Sequence, residues 1–149
     1  MGNVIGIVAE YNPFHNGHAR LIEQTRAQLG AVCPVVCVMS GDFVQRGSPA
    51  VYSKFARAEA AVRCGADLVL ELPLPWSLSS AEGFARGAVG LLGSLGVVTH
   101  LSFGSECGDA ALLQGLADTL LSPDLQADIR GELAAGITYA AARQQAVQA

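Results

Sequence analysis

Residues 4–18 read Val4-Ile5-Gly6-Ile7-Val8-Ala9-Glu10-Tyr11-Asn12-Pro13-Phe14-His15-Asn16-Gly17-His18, and this stretch decides the fold. Its apolar first part predicts a buried strand, the Asn-Pro-Phe part predicts a turn, and the last residues predict the start of a helix. A helix N-terminus gathers unpaired N–H groups and the positive end of the backbone dipole, so it attracts phosphate. Gly17 lets a ligand approach the backbone, and His15 and His18 can donate hydrogen bonds to phosphoryl oxygens.

Two other interpretations of the histidines stay open at this point. An isolated His-x-Gly-His match is short and arises by chance, so the strand–turn–helix context is what favours a functional role. A zinc pair is the competing functional hypothesis, but no Cys, Asp or Glu lies nearby at a ligand-like spacing to complete a tetrahedral set. We therefore predict no metal held by these side chains.

Composition limits the class of protein. The chain has 149 residues, of which 51% are apolar and 15% charged, which indicates a globular domain with its own core. The formal net charge of −4 is unlike that of a self-sufficient nucleic-acid binder, so any RNA contact would need basic surface from elsewhere. With no spanning apolar stretch, no secretory signal and four cysteines that form no Cys-x-x-Cys pair, we predict a cytoplasmic protein without a membrane contact.

Strand-like and helix-like segments alternate along the chain. Strands are predicted over 4–10, 35–39, 67–72 and 97–103. Helices are predicted over 16–29, 53–64, 79–92, 110–121, 123–135 and from 138 onward. Continuous apolar strands separated by helices predict an α/β fold, a doubly wound parallel sheet with helices on both faces, here followed by a helical C-terminal extension. His100 is predicted to be packed within its strand, and Trp76 to lie on a proline-bracketed loop.

Ligands of such sheets bind outside the carboxyl ends of the strands, where this chain has its polar loops. Arg46 lies in one of these loops, and its fork of N–H donors suits a phosphate or a carboxylate. Lys54 and Arg57 lie one helical turn apart and could orient a triphosphate. The alternative for Arg46 is a solvated loop arginine, and for Lys54 and Arg57 it is a solvated, ion-paired helix face. Glu10, at the end of the first strand, either orders the loop or touches substrate.

Several segments taken together with the opening stretch resemble one family along the whole chain. They are Gly6–His18, Met39–Gly47, Lys54–Glu59, Gly65–Pro73, Ser80–Ala85, Phe103–Glu106 and Gly136–Arg143. The chain is similar in these segments to the bacterial tRNA(Met) cytidine acetate ligase family, a nucleotidyltransferase-like group that carries the His-x-Gly-His motif. The resemblance implies a Rossmann-like, nucleotidyltransferase-type ATP-binding domain over residues 1–149, as the N-terminal part of a longer architecture.

The resemblance also implies an activity. Members of this family activate acetate with ATP as acetyl-adenylate, and then acetylate N4 of the wobble cytidine of elongator tRNA(Met). ATP, acetate and tRNA(Met) are the implied partners, with Mg²⁺ bound mainly through ATP oxygens. His15 and His18 are the implied catalytic pair. The implied ATP-binding residues are Ile7, Val8, Ala9, Glu10, Tyr11, Asn12, Pro13, Phe14, His15, Asn16, Gly17, His18, Ala19, Arg20 and Gly104.

Two further hypotheses belong to other classes. One is a nucleotidyltransferase that acts on a phosphorylated cofactor precursor, which would share the motif and the fold. The other is a truncated nucleotide-binding module without catalysis, because family members continue well beyond this length. Their later part supplies a further asparagine and arginine for ATP and a basic surface for tRNA. The sequence indicates no particular oligomeric state.

Overall fold

The computed structural model describes residues 2–148. The strands are Ile5–Ala9 (β1), Val35–Ser40 (β2), Leu68–Leu72 (β3) and His100–Ser102 (β4). The helices are Asn16–Leu29 (α1), Lys54–Arg63 (α2), Leu74–Ser77 (α3), Ala81–Ser94 (α4), Ala110–Leu121 (α5), Pro123–Ala134 (α6) and Tyr139–Gln148 (α7). A short 3₁₀ turn, Gln45–Gly47, lies in the loop after β2. None of the helices in residues 2–148 is long and apolar enough to cross a bilayer.

The strands form one parallel sheet in the order β3-β2-β1-β4. The chain moves outward from β1 to β2 and β3, and then returns to add β4 on the other side of β1. The order therefore reverses between β1 and β4, which makes the crevice at their carboxyl ends the topological switch point. The predicted doubly wound α/β fold is confirmed.

Apolar side chains cover the sheet on both faces. Successive residues of β2 point to opposite faces, and all of them are buried. One face packs under α1 and α2, through a cluster that includes Ile5, Ile7, Ile22, Val35, Cys37, Met39 and Ala61. The other face packs under α4, through Val36, Val38, Leu72, Phe84, Ala88 and Leu92. Helices on both faces were predicted. The two clusters show that alternate apolar residues of the strands pack against helices on opposite faces of the sheet.

The helix ends follow the sequence signals. Gly30 and Gly65 have φ values of 129° and 112°, a region that side chains disfavour, and they lie directly after the predicted helix ends at residues 29 and 64. The Ser53 and Ser80 side chains accept hydrogen bonds from backbone N–H groups in the first turns of α2 and α4. The helices predicted from residues 53 and 79 therefore begin one and two residues later, at Lys54 and Ala81.

The last strand departs from its prediction. β4 pairs with β1 over only three residues, Ile5 with His100 through Ile7 with Ser102, whereas the apolar pattern predicted a strand over 97–103. It lies at the edge of the sheet, and His100 is exposed with its Nδ1 beside Thr99 Oγ1 at 2.8 Å. The prediction of a packed His100 was wrong. β4 is an edge strand with a neighbouring strand on one side only, and His100 is left exposed there.

The segment after β3 also differs from its prediction. Pro73 and Pro75 end the strand as expected, but Pro75 then lies in the first turn of α3, where a missing N–H costs nothing. Trp76 therefore lies on a short helix rather than on a loop. Its ring packs directly on the backbone of Gly87 in α4, where an added Cβ would lie 2.4 Å from Trp76 Cγ.

The chain forms two compact units, one up to Gly104 and one from Ser105 onward. The sheet and its covering helices make up the first unit. The second unit consists of α5, α6 and α7 and confirms the predicted helical extension. Its own small core comprises Leu125, Ile129, Ala142 and Ala146.

Candidate functional site

The turn after β1 is anchored to the core by Tyr11. This residue adopts a left-handed φ of 48°, and its side chain is 2% exposed. Its hydroxyl lies 3.3 Å from Cys37 Sγ, and its ring contacts Phe14 and His18 edge-on, with centroids 4.8 and 4.9 Å away. Burial next to Cys37 raises the pKa of the Tyr11 hydroxyl well above its usual range. Tyr11 therefore stays neutral and fixes the path of the turn.

The two histidines of the motif cap α1 together. His15 is the N-cap residue, and its Nδ1 accepts a hydrogen bond from Gly17 N–H at 3.1 Å. The backbone N–H of His15 in turn donates to His18 Nδ1 at 3.2 Å. The rings stack with centroids 3.7 Å apart and an interplanar angle of 27°. Because both Nδ1 atoms accept from backbone N–H groups, this geometry assigns the ring protons to the two Nε2 atoms.

The local environment keeps His18 uncharged. Burial lowers its pKa, and the neighbouring His15 lowers it further. A neutral imidazole is also what the hydrogen bond from His15 N–H requires, since a protonated Nδ1 would face another donor. The pair thus offers two Nε2–H donors at a helix N-terminus, an arrangement suited to phosphoryl oxygens.

Gly17 keeps room for the His15 ring. A Cβ at this position would lie 2.9 Å from His15 Cε1 and 3.0 Å from its Nδ1. The glycine therefore serves the capping geometry, in addition to leaving the backbone open to a ligand as the sequence suggested.

The loop of residues 40–52 is attached to the turn by two side chains. Gln45 N–H donates to Glu10 Oε1 at 2.6 Å, and Val51 N–H donates to Asn12 Oδ1 at 2.7 Å. Glu10 therefore orders the loop, which was one of its two predicted roles. The turn and the loop together form a continuous rim at the carboxyl ends of β1 and β2.

Arg46 and Lys54 both lie on this rim, but only Lys54 is paired with a carboxylate. Arg46 is exposed within the 3₁₀ turn and has a left-handed φ of 68°. Lys54 Nζ lies 2.7 and 3.0 Å from the two carboxylate oxygens of Glu71, at the end of β3. Its hydrogen bond with Glu71 raises the pKa of Lys54. Arg46 is thus open to a ligand, whereas Lys54 already has a carboxylate partner.

Arg57 has a different position from the one predicted. Only 1% of the residue is exposed, so its guanidinium does not face a ligand site. Its Nε donates to Tyr52 O at 3.1 Å, and its Nη1 donates to Glu10 O at 2.5 Å. Its Nη2 donates to the carbonyls of Ser40 and Gly41. The predicted phosphate or carboxylate contact is therefore replaced by contacts to the backbone.

Gly104 lies across the switch point from the histidines. It is the second residue after β4, at the same edge of the sheet as the turn after β1. A Cβ at Gly104 would meet nothing within 4 Å. Ser102 at the end of β4 lies 2.6 Å from Thr25 Oγ1 of α1, and Thr25 Oγ1 itself donates to Leu21 O. This contact ties the strand that leads to Gly104 to the helix that the histidines begin.

The other predicted ATP-binding residues lie in three settings. Ile7 is buried in β1, Val8 and Ala9 complete that strand, and Pro13 and Phe14 shape the turn. Asn16, Ala19 and Arg20 lie in the first turns of α1, with Arg20 exposed. Within residues 2–148, no group of three or more His, Cys, Asp or Glu side chains is placed to hold a metal ion.

The sequence contains a clear family signature. The profile of the HIGH nucleotidyl transferase family matches residues 2–149, and the chain belongs to this family. Among similar curated proteins, the tRNA(Met) cytidine acetate ligase of Acetivibrio thermocellus is 46% identical over 147 residues, covering 97% of this chain and 35% of that protein. The enzyme of the same name from Caldanaerobacter subterraneus is 48% identical, covering 96% of this chain and 36% of that protein.

Solved structures agree with this assignment. Thermotoga maritima TmcAL bound with α-thio ATP superposes with a TM-score of 0.88 at 46% identity, covering 97% of this chain and 35% of that one. The apo form of the same protein gives a TM-score of 0.89, with 34% of that chain covered. The resemblance to the tRNA(Met) cytidine acetate ligase family is thus confirmed. The chain spans about a third of the length of the relatives it matches.

Proposed function

We propose that this chain binds ATP at the turn between β1 and α1 and forms the N-terminal adenylating part of a tRNA(Met) cytidine acetate ligase. The stacked pair of His15 and His18 carries this proposal, because both Nε2–H groups are left to donate at a helix N-terminus. The bound α-thio ATP of the Thermotoga maritima relative supports the choice of nucleotide. Names of the similar ligases support the choice of acceptor.

The proposed first reaction is adenylyl transfer to acetate. A carboxylate oxygen forms a bond to the α-phosphorus, the bond from that phosphorus to the bridging β-phosphate oxygen breaks, and pyrophosphate leaves. Such a transfer needs positioning and charge neutralisation more than covalent help from the protein. His15 and His18 would donate to phosphate oxygens, and Mg²⁺ held mainly by ATP oxygens would neutralise further charge.

The remaining predicted residues contribute to ATP binding to different extents in this proposal. The segment of residues 7–20 surrounds the phosphates, and Gly104 leaves room for the adenine or ribose to approach the end of β4. Arg46 is the open donor on the rim and would contact phosphate or carboxylate. Lys54 would have to leave Glu71 to do the same, so we assign it a weaker role.

The second proposed reaction passes the acetyl group to N4 of the wobble cytidine of tRNA(Met). A net charge of −4 gives this chain little affinity of its own for a polyanion. We therefore propose that it supplies the adenylate, while basic surface outside it holds the tRNA.

Calorimetric titration of ATP with Mg²⁺ into the 149-residue chain tests the site. We expect His18→Ala to weaken binding by about 1–3 kcal/mol, the usual scale for a hydrogen bond to a charged group. His100→Ala is the matched control, since that histidine is exposed on β4 and should leave the affinity unchanged. Equal binding by the wild type and His18→Ala would contradict the placement of the phosphates.

Exchange of labelled pyrophosphate into ATP tests the reaction. We expect exchange that depends on acetate and disappears in His18→Ala. Exchange driven by a phosphomonoester, with none driven by acetate, would assign the chain to another branch of the nucleotidyl transferases. ATP binding without any exchange would indicate that the chain is a nucleotide-binding module without catalysis.

A further inference from the structure

The buried Arg57 side chain joins the three segments that surround the candidate site. A guanidinium has five N–H donors in a rigid fork, and here each has an acceptor. Three of the five acceptor atoms lie at the end of β2 or just after it: the carbonyl of Ser40, the hydroxyl of Ser40 at 3.5 Å, and the carbonyl of Gly41. The others are the carbonyls of Glu10 in the turn and Tyr52 before α2.

The charge of Arg57 is held by backbone dipoles. Among the described residues 2–148, no carboxylate oxygen lies within 4.0 Å of the guanidinium. Burying a cation in this way is costly unless its hydrogen bonds are complete. Burial lowers the pKa of Arg57, whereas the charges of Asp42, Glu10 and Glu71 oppose that shift, so the group stays a cation. This buried cation lies in α2, directly under the rim formed by the turn and the loop.

We propose that Arg57 is a positioning residue for the nucleotide site: its five hydrogen bonds hold the turn after β1 and the loop after β2 in the geometry that ATP binding uses. This inference rests on the proposed function, and it names a residue that would act without touching ATP. The path from Arg57 to the histidines is short. The carbonyl it holds belongs to Glu10, whose neighbour Tyr11 packs against the His18 ring.

A second arginine gives a matched control at the opposite edge of the sheet. Arg26 in the last turn of α1 donates to Cys33 O at 3.2 Å and forms an ion pair with Asp67 at 2.6 Å. Asp67 in turn accepts from Val35 N–H at the start of β2 at 2.7 Å. Arg26 therefore also ties backbone segments together, but at the amino ends of the strands, away from the rim.

The experiment compares Arg57→Lys with Arg26→Lys. Lysine keeps the charge, but its three donors cannot reach all the acceptors that Arg57 holds. Amide hydrogen exchange is read at Gln45 and Val51, which donate to the turn, and at Val35 on the opposite edge. ATP affinity is measured by calorimetry on the same samples.

We expect Arg57→Lys to speed exchange at Gln45 and Val51 with Val35 unchanged, and to weaken ATP binding by about tenfold or more, as small misplacements of a site do. Arg26→Lys should show the reverse exchange pattern and keep the wild-type affinity. Three results for Arg57→Lys would overturn the inference. Exchange could speed up equally at all three amides, or it could stay unchanged at Gln45 and Val51. Exchange could also speed up at Gln45 and Val51 while the ATP affinity stays at the wild-type value.

Two complications leave the inference testable. Should Arg57→Lys fail to fold, Ser40→Ala removes one of the acceptors, and exchange at Gln45 and Val51 should rise by a smaller amount in the same direction. No rise there would overturn the proposal. Should the wild-type chain bind no ATP, the proposed function fails by itself, and the exchange pattern still decides whether Arg57 holds the turn and the loop.

Discussion

A histidine at an N-cap is unusual, because Ser, Thr, Asp and Asn are the residues that usually cap helices. In this chain the Nδ1 atoms of His15 and His18 both accept hydrogen bonds from backbone N–H groups at the start of α1, so the Nε2–H group of each ring takes no part in the cap. A serine would cap equally well but would place its only further donor close to the backbone. Capping the helix thus occupies one nitrogen of each ring, and the proposed phosphate contacts use the other.

The lowered pKa of His18 gives a prediction for the pH dependence of stability. In the unfolded chain a histidine titrates near about 6.5, and in the folded chain His18 titrates lower because of burial and His15. The unfolded state thus binds more protons within that interval, so the contribution of His18 to stability is complete above about pH 6.5 and is lost as the pH falls. Urea denaturation should show that the free energy of unfolding decreases as the pH falls below about 6.5. This decrease should be smaller in His18→Gln.

A direct titration separates the two causes. The ring proton signals of His18, followed by NMR, should give a pKa below the usual value. His15→Gln should raise that pKa part of the way back, because burial is the larger cause and remains. A His18 pKa at or above the ordinary value in the wild-type chain would contradict the stacked, doubly capped geometry.

The residues of the site were predictable to different degrees. His15, Gly17 and His18 follow from the strand–turn–helix pattern, because sequence neighbours build that part of the site. Arg57 was predicted either to help orient a triphosphate or to lie on a solvated, ion-paired surface, since helical spacing alone does not show that it points under two loops distant in sequence. The buried position of Arg57 arises from the packing of α2 beside the end of β2. That packing is a tertiary feature, and no local pattern in the sequence indicates it.

At the scale of the element, α4 contains four glycines, and two of them, Gly87 and Gly90, have opposite surroundings. Gly87 lies under Trp76, where a Cβ would be 2.4 Å from Cγ and 2.6 Å from Cβ of the tryptophan. These atoms are close to the backbone and cannot swing away. Gly90, on the same helix, has open space around the position of a Cβ.

We predict opposite effects of alanine at these two positions. Gly87→Ala should destabilise the chain by about 1–3 kcal/mol, the usual cost of overpacking. Gly90→Ala should stabilise it by about 0.5–1 kcal/mol, since alanine loses less backbone entropy in a helix. Urea denaturation measures both, and Gly90→Ala controls for helix propensity. A stabilising Gly87→Ala would mean that α3 does not pack on α4 as described.

Elements were predicted best where local signals agree with tertiary packing. The bounds of α1 were predicted residue for residue, and Gly30 follows its last residue as the C-cap. β4 was predicted too long, since residues 97–99 and 103 have strand-forming side chains but no ladder partner in β1 beyond its three pairs. α3 was missed because two prolines look like a loop in sequence, although one of them suits a first helical turn.

At the scale of the whole molecule, the chain combines a sheet unit with a small helical unit. The sheet unit has two apolar layers and includes every residue of the proposed site. The helical unit has a much smaller core. The residues that connect them, from Phe103 to Asp109, are all exposed and lie outside helices and strands. Such segments are the preferred places for proteolytic cleavage.

We therefore predict that a glutamyl endopeptidase cuts first after Glu106. The other glutamates are protected: Glu10 accepts a hydrogen bond from Gln45, and Glu23, Glu59, Glu71, Glu82 and Glu132 lie within helices or strands. Cleavage within those elements requires them to open, whereas the connecting segment can enter a protease directly. Mass spectrometry of early time points identifies the site, and Glu106→Gln should delay the first cut. Early cleavage after Glu23 or Glu59 would instead show that α1 or α2 opens more readily than its packing against the sheet implies.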